Sequence, residues 1–261
     1  MRLIRQRLLI LAALFFLTPC TFLAQSFSFS CAKDTTVVAC GNPCFTLRTL
    51  IPDIHALSTS YTVNPIGNNG VRCFPVYSNP DIPGTPTNVT IDDRYSSLIA
   101  IGFPFPFYGV VYNNLVASTN GVVSFDASRA NLFAHYDIEL NGVYQDLPNI
   151  FYDRAIIMGP YHDLNPVIVQ PTQRMQYTTV GAAPHRRWIF SFYRVPLFGP
   201  ACVGLIENTH QIVLYESTGI IEVLIFSKQI CTGWNGGHSM VGLQNFNRDQ
   251  GIMAPGRRAT D

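Results

Sequence analysis

Charge is scarce in this chain. Asp, Glu, Lys and Arg make up 13% of 261 residues, with 17 basic and 16 acidic side chains. The first 25 residues carry three of the arginines, so the remainder holds 14 basic against 16 acidic groups. Without a surplus of positive charge there is no electrostatic footprint for a phosphate backbone, and nucleic acid is excluded as a partner. Sustained helical periodicity is missing too, which excludes a helical bundle. The sequence contains no Gly-x-Ser-x-Gly elbow, His-Glu-x-x-His pair, phosphate-cradling glycine loop or Asp-x-Asp-x-Asp-Gly calcium loop, so the common hydrolase and nucleotide chemistries have no local signature. Internal repeats and low-complexity tracts are also lacking, and no cofactor is expected.

What is present is apolar and punctuated. Hydrophobic residues reach 48% and aromatic ones 12%, alongside 18 Pro and 19 Gly. Aromatic side chains suit half-buried pleated surfaces and Pro and Gly end elements, so many short strands are expected. The N-terminus carries Arg2, Arg5 and Arg7, an apolar run from Leu8 to Leu17, then Thr18-Pro19 and the small Ala24. That order is the layout of a secretory signal peptide over residues 1–25, with a mature chain from near Ser26. The 17 residues from Leu8 to Ala24 are broken by Thr18, Pro19 and Thr21 and sit at the short limit for crossing a bilayer. No membrane span is expected after cleavage, and the product is expected to be secreted or held at the cell surface. An acylated Cys20 is the minor alternative, disfavoured by Pro19 directly before it.

Loss of Cys20 leaves Cys31, Cys40, Cys44, Cys73, Cys202 and Cys231, an even set in an oxidising compartment. The first four allow three pairings, which stay open. Cys202 and Cys231 bracket the open end of one hairpin and are expected to pair. Cys40-Gly-Asn-Pro-Cys44 is too loosely spaced for half a zinc site, and no metal is assigned to it.

Thr35–Ala39 and Phe45–Leu50 read as strands. Residues 64–90 hold five prolines, among them Pro65 and Pro86, and read as a long surface connection. The strand from Ser97 meets Pro104 and Pro106, which deny it ladder donors and make it an edge or bulged strand. Asn120-Gly121 is the strongest turn signal, a dipeptide that tolerates two positive φ angles. Trp188, Phe190 and Phe192 alternate along one strand and are expected in the core. His210–Tyr215 and Ile220–Phe226 flank a turn at Glu216–Gly219, and Ser239–Gln244 reads as the final strand. About a dozen strands close into two packed sheets more economically than one open sheet. Residues 26–261 are therefore expected to form a single all-β domain, a disulfide-stapled two-sheet sandwich or jelly-roll-like fold.

Several phrases accumulate in order: Ile101-Gly-Phe-Pro-Phe-Pro-Phe-Tyr-Gly, Ser118-Thr-Asn-Gly-Val-Val-Ser-Phe-Asp, Gly159-Pro-Tyr-His-Asp-Leu-Asn-Pro, Arg187-Trp-Ile-Phe-Ser-Phe, His210-Gln-Ile-Val-Leu-Tyr-Glu, Ile220-Ile-Glu-Val, Cys231-Thr-Gly-Trp-Asn-Gly-Gly and Val241-Gly-Leu-Gln-Asn. Together they resemble the N-terminal region of the large type IX-secreted, gliding-motility-associated surface proteins of Bacteroidetes. A looser similarity, in the shorter phrases, is to nidogen-like extracellular β domains. The resemblance covers nearly all of residues 31–258 and implies export and a surface role. In that family the region heads a longer chain ending in a sorting domain. No such domain follows Pro255, so a truncated member is expected.

The best polar cluster is His162 and Asp163 with Asn165, joined by His135 and Asp137. Brought together, two imidazoles and two carboxylates could hold a divalent metal and polarise a water. The simpler reading, favoured here, makes Tyr161–Pro166 a sheet corner in which Asp and Asn bond turn amides and His fills space. Glu222 is expected to face solvent or one partner, and Glu216 to serve a turn. Trp234, Tyr112, Tyr144 and Tyr152 sit in turn-rich stretches where a ring could stack on a sugar, although such rings more often cap a core. The expected function is that of a non-catalytic adhesion or binding module for carbohydrate or for an extracellular matrix or surface protein. The alternative is an exported hydrolase, metal-dependent or glycosidase-like, built on His135, Asp137, His162 and Asp163.

Overall fold

The computed structural model describes residues 58–64, 84–89, 91–168, 174–199, 202 and 207–259. The chain divides into two units, Met1–Phe45 and Thr46–Asp261, and every described residue lies in the second. The leader, the strands expected over 35–39 and 45–50, and Cys31, Cys40, Cys44 and Cys73 lie outside the described residues.

Two antiparallel sheets form the sandwich. The five-stranded sheet runs β1 (Thr85–Pro86), β8 (Arg174–Val180), β9 (Arg187–Pro196), β10 (Glu207–Tyr215) and β11 (Ile221–Lys228). The six-stranded sheet runs β13 (Gly251–Met253), β12 (Met240–Gln244), β7 (Ile156–Tyr161), β4 (Val122–Ser124), β3 (Val110–Ala117) and β2 (Ile99–Phe107). A small hairpin pairs β5 (Glu139–Leu140) with β6 (Val143–Tyr144). Strand β1 corrects the expectation that residues 64–90 carry no regular element: Thr85 and Pro86 pair with Tyr177 and Gln176 at the edge of the five-stranded sheet, a place where a proline costs no ladder bond.

The core lies between the sheets. Alternate residues of β2 (Ile99, Ile101, Phe103, Phe105, Phe107) point inward and meet Trp188, Phe190 and Phe192 of β9 with Ile212 and Leu214 of β10. The three aromatic rings on one face of β9 thus sit where their period of two places them. Unlike those strands, β7 and β4 show no alternation and are buried throughout. The reason is a second apolar layer: Val122, Ile156, Met158, Tyr161 and Met240 on the opposite face are covered by Ile138, Leu147, Tyr152 and Ala259. A strand covered on both faces can be apolar at every position.

Strand β2 is the edge of its sheet and its register with β3 slips between Ala100 and Phe105, as Pro104 and Pro106 require. The carbonyls released by that bulge are taken up across the sandwich: Thr179 Oγ1 donates to Ile101 O at 2.8 Å and the Arg186 guanidinium donates to Gly102 O. Arg186 is fixed in turn by an ion pair with Glu216 in the β10–β11 turn. Glu222, on β11, accepts a 2.8 Å hydrogen bond from Tyr215 Oη. Cys202 and Cys231 form a disulfide at the open end of that hairpin, with Cα atoms 6.0 Å apart.

The Asn-Gly turns divide in an unexpected way. Asn141 and Gly142, joining β5 to β6, both have positive φ (52° and 79°), the geometry of a two-residue hairpin loop. At Asn120-Gly121 only Gly121 is left-handed, at +80°. Asn120 has other work for its side chain.

Candidate functional site

At one end of the six-stranded sheet, the β3–β4 turn lies against the end of β7. Gly159 N donates to Gly121 O at 2.8 Å, and a Cβ on Gly121 would stand 2.8 Å from Pro160 O. Only glycine permits this approach at this φ. The close contact delivers Asn120, fully buried, to a point between two distant segments. Its Nδ2 donates to Asp93 Oδ1 at 2.9 Å and to His135 O at 3.2 Å, and its Oδ1 accepts from Leu164 N at 2.9 Å. One amide thereby ties the Asp92–Asp93 turn to the residue that follows Asp163.

The Asp92–Asp93 turn is held by its neighbours. Ala134 N donates to Asp93 O, and Arg94 and Tyr95 form bridges with Phe133 and Ser118. Asp163 is anchored from the other sheet, because its carbonyl accepts from Phe198 N at 2.9 Å and Leu164 bridges Leu197. The outcome is three carboxylates, from Asp92, Asp93 and Asp163, each with an oxygen within 4.8 Å of the others. Asp163 is 2% exposed and its Oδ1 has no hydrogen-bond partner.

The electrostatics follow. Burial, reinforced by Asp93 and Asp92, pushes the Asp163 carboxyl up to about 8, and the Trp234 indole N–H faces it and acts against the rise without closing a hydrogen bond of ordinary geometry. Burial and then Asp93 raise Asp92 to about 6. Asp93 is also raised, by burial first, with Asn120 opposing and Asp137 adding. Burial raises Asp137 and His135 lowers it. His135 Nδ1 lies 3.2 Å from the Tyr161 hydroxyl, which donates to Asp137 O at 2.9 Å. The hydroxyl proton is therefore committed to Asp137, and the imidazole Nδ1 is the donor to the phenol oxygen.

The four residues expected to cluster thus divide. His135, Asp137 and Asp163 lie around one centre, joined by Asp92, Asp93 and Asn120, which sequence reasoning did not single out as site residues. The Asp163 carboxylate is not a turn-amide acceptor. Asn165 is one, taking Val167 N at 2.9 Å.

His162 turns the other way. Its Nδ1 donates to His238 O at 2.8 Å, and burial, then Lys228, lowers its pKa to about 4. On β10, His210 stacks on Phe192 at 4.2 Å, meets Asn208 Oδ1 at 3.1 Å and is lowered by burial to about 3. Both imidazoles are fully buried with Nε2 unpartnered. Unfolded imidazoles titrate near 6.5, so the unfolded chain binds their protons first and stability they confer, complete above that pH, is lost as pH falls toward 4 and 3. Asp163 and Asp92, raised rather than lowered, act in the opposite sense over the same range. A difference measurement separates the two. The stability of the wild type relative to His162→Gln is expected to fall by about 2 kcal/mol between pH 7 and pH 5, read by urea denaturation at each pH; a difference that does not change with pH would show that His162 is not buried neutral.

The four candidate stacking rings also divide. Tyr152 is 2% exposed, with its hydroxyl bonded to Gln145 O at 2.7 Å, and has no face open to a ligand. Tyr112 stacks on Phe125 at 4.8 Å, and Trp234 packs edge-on against Phe198 at 5.1 Å and onto the core. Tyr144 is partly buried, packed on one side against the second apolar layer. It stands on the β5–β6 hairpin over the His238 ring at 4.6 Å, beside the 234–238 turn. Val143 next to it is 61% exposed, and Ile230, against Gly237, is 72% exposed.

Comparison with known proteins agrees with the looser of the two resemblances. A family model described as NIDO related matches residues 76–258. No curated protein and no solved structure matches the chain.

Proposed function

We propose, because this chain belongs to the NIDO-related family, that its sandwich is an extracellular β-domain module that binds a partner and performs no reaction on it. The family match over residues 76–258 carries this reading. The disulfide between Cys202 and Cys231 suits an oxidising exterior, and the basic, then apolar, residues 1–25 suit export by signal peptide. No helix among the described residues is long and apolar enough to cross a membrane. A hydrolase on the acidic centre is the weaker reading: Asp163, at 2% exposure, leaves no approach for a polymer. The order of phrases from Ile101 to Asn245 supports the finer proposal that the module heads a larger gliding-motility-associated surface protein.

The ligand face we assign is formed by Tyr144 and Ile230, which flank the Gly236–Gly237 turn, an aromatic and apolar surface next to polar turn residues, suited to a glycan or to a matrix or surface protein. A glycan and matrix-protein array, run beside a hydrolase panel with the disulfide-intact protein, tests both halves of the proposal. Binding without turnover is expected, weakened roughly tenfold or more by Tyr144→Ala. Turnover of any polymer, or binding indifferent to Tyr144, would overturn it.

A further inference from the structure

The Asp92, Asp93 and Asp163 centre makes poor sense as a purely structural feature. Burying a carboxylate without a partner is costly, and placing two more beside it adds repulsion. Yet the fold works to assemble this group. Asn120 is buried completely and uses both ends of its amide to hold Asp93 Oδ1 and Leu164 N together. Asp92 Oδ1 accepts from Asp93 N at 3.1 Å, which fixes the first carboxylate against the second. Asp163 points an unpartnered Oδ1 from a position 98% removed from solvent. An unsatisfied buried acceptor beside two further carboxylates suits a bound cation, which would answer all three at once.

We propose that Asp92, Asp93 and Asp163 bind a divalent cation of the calcium class, with Asn120 as the positioning residue that brings the two chain segments together. Oxygens that lie within 4.8 Å of one another can all reach a single Ca²⁺ ion, whose ligands stand 2.3–2.6 Å from it, so that opposed ligands are about 5 Å apart. The donor set is entirely hard oxygen, which selects Ca²⁺ or Mg²⁺ over softer metals. The irregular arrangement, two adjacent residues on one turn and a third across the sheet end, suits flexible calcium coordination better than the strict octahedron of magnesium. The chain has no Asp-x-Asp-x-Asp-Gly loop, so the ligands come together only through the tertiary structure. This inference goes beyond the ligand-binding proposal and does not depend on it: the cation would brace the joint between the β3–β4 turn, the end of β7 and the Asp92–Asp93 turn.

The test uses the full secreted chain, stripped with chelator and titrated with CaCl₂ alone. Calorimetry is expected to give about one equivalent bound with Kd in the 10⁻⁴–10⁻³ M range of extracellular modules, and thermal unfolding is expected to shift upward with added calcium. Asp163→Asn keeps the shape of the side chain and is expected to weaken calcium binding by at least about tenfold and to abolish the thermal shift. Asp92→Asn, at a half-exposed position, is a second variant whose folding is not in question and is expected to act in the same direction. Glu207→Gln, in the ion pair with Arg194 on β9, serves as a control that leaves the response intact. Absence of calcium binding by the wild type, or binding unchanged in both aspartate variants, would overturn the proposal.

Discussion

A protein without the Cys202–Cys231 bridge, made as the C202A/C231A double variant, is expected to lose about 3–4 kcal/mol of stability. The bridge closes a loop with a sequence separation of 29, and the loop-closure entropy it removes from the unfolded chain sets that magnitude. Alanine at both positions leaves no buried polar group behind. Cys202 is fully buried and Cys231 is 7% exposed, and both belong to the core between the sheets, so a small packing loss adds to the entropic one. The effect should reach the site as well. Trp234 follows Cys231 by three residues and packs on Phe198, whose amide donates to Asp163 O. Loosening the bridge therefore loosens one wall of the acidic centre. Urea denaturation of the two proteins measures the loss; coincident midpoints would mean that packing alone holds these segments.

Trp188→Ala is expected to cost about 3–5 kcal/mol. The ring is fully buried, stacks on Phe190 at 5.9 Å, and belongs to the cluster that joins β9 to β2, β3 and β7 across the sandwich. Its strand neighbours Thr179 and Leu214 are both in register within the same sheet and are unable to move into the space vacated. Trp188→Phe should cost markedly less: it keeps most of the ring and removes the indole Nε1, which is buried without a partner. The chain has two tryptophans, so Trp234 remains as a fluorescent reporter in both variants, with circular dichroism as the independent probe. Equal losses for the alanine and phenylalanine variants would show that the indole N–H, not ring volume, is what the position requires.

The candidate site was legible only in part. Asp163 and its neighbours stood out because a His-Asp-Leu-Asn-Pro run is chemically dense, and His135 and Asp137 because they repeat the pairing upstream. Asp92 and Asp93, two acids in a polar turn, look like any solvated loop. Asn120 was visible for its backbone, as half of an Asn-Gly turn, whereas its contribution is a side-chain amide that spans residues 93 to 164. Such a role needs partners far away in the chain, and no local pattern encodes them. His162 shows the converse: adjacency to Asp163 suggested a shared site, but successive residues at the end of β7 point to opposite sides, which sent its imidazole toward His238.

What the sequence determined by itself was local and periodic. The alternation of Trp188, Phe190 and Phe192, the prolines of β2 and the Glu216–Gly219 turn each act through neighbours within a few residues, and the hairpin that this turn closes brings the cysteines flanking its two strands together, so the all-β class, the edge strand, the long hairpin and its disulfide could be read directly. Only the tertiary structure decided that the six-stranded sheet is covered on both faces, that β1 and β13 add to the sheet edges, and that three acids from two distant segments share one centre. These depend on which surfaces meet, and an apolar run such as Ile156–Met158 or a polar turn such as Asp92–Asp93 is compatible with many partners until the whole sandwich closes and leaves it one.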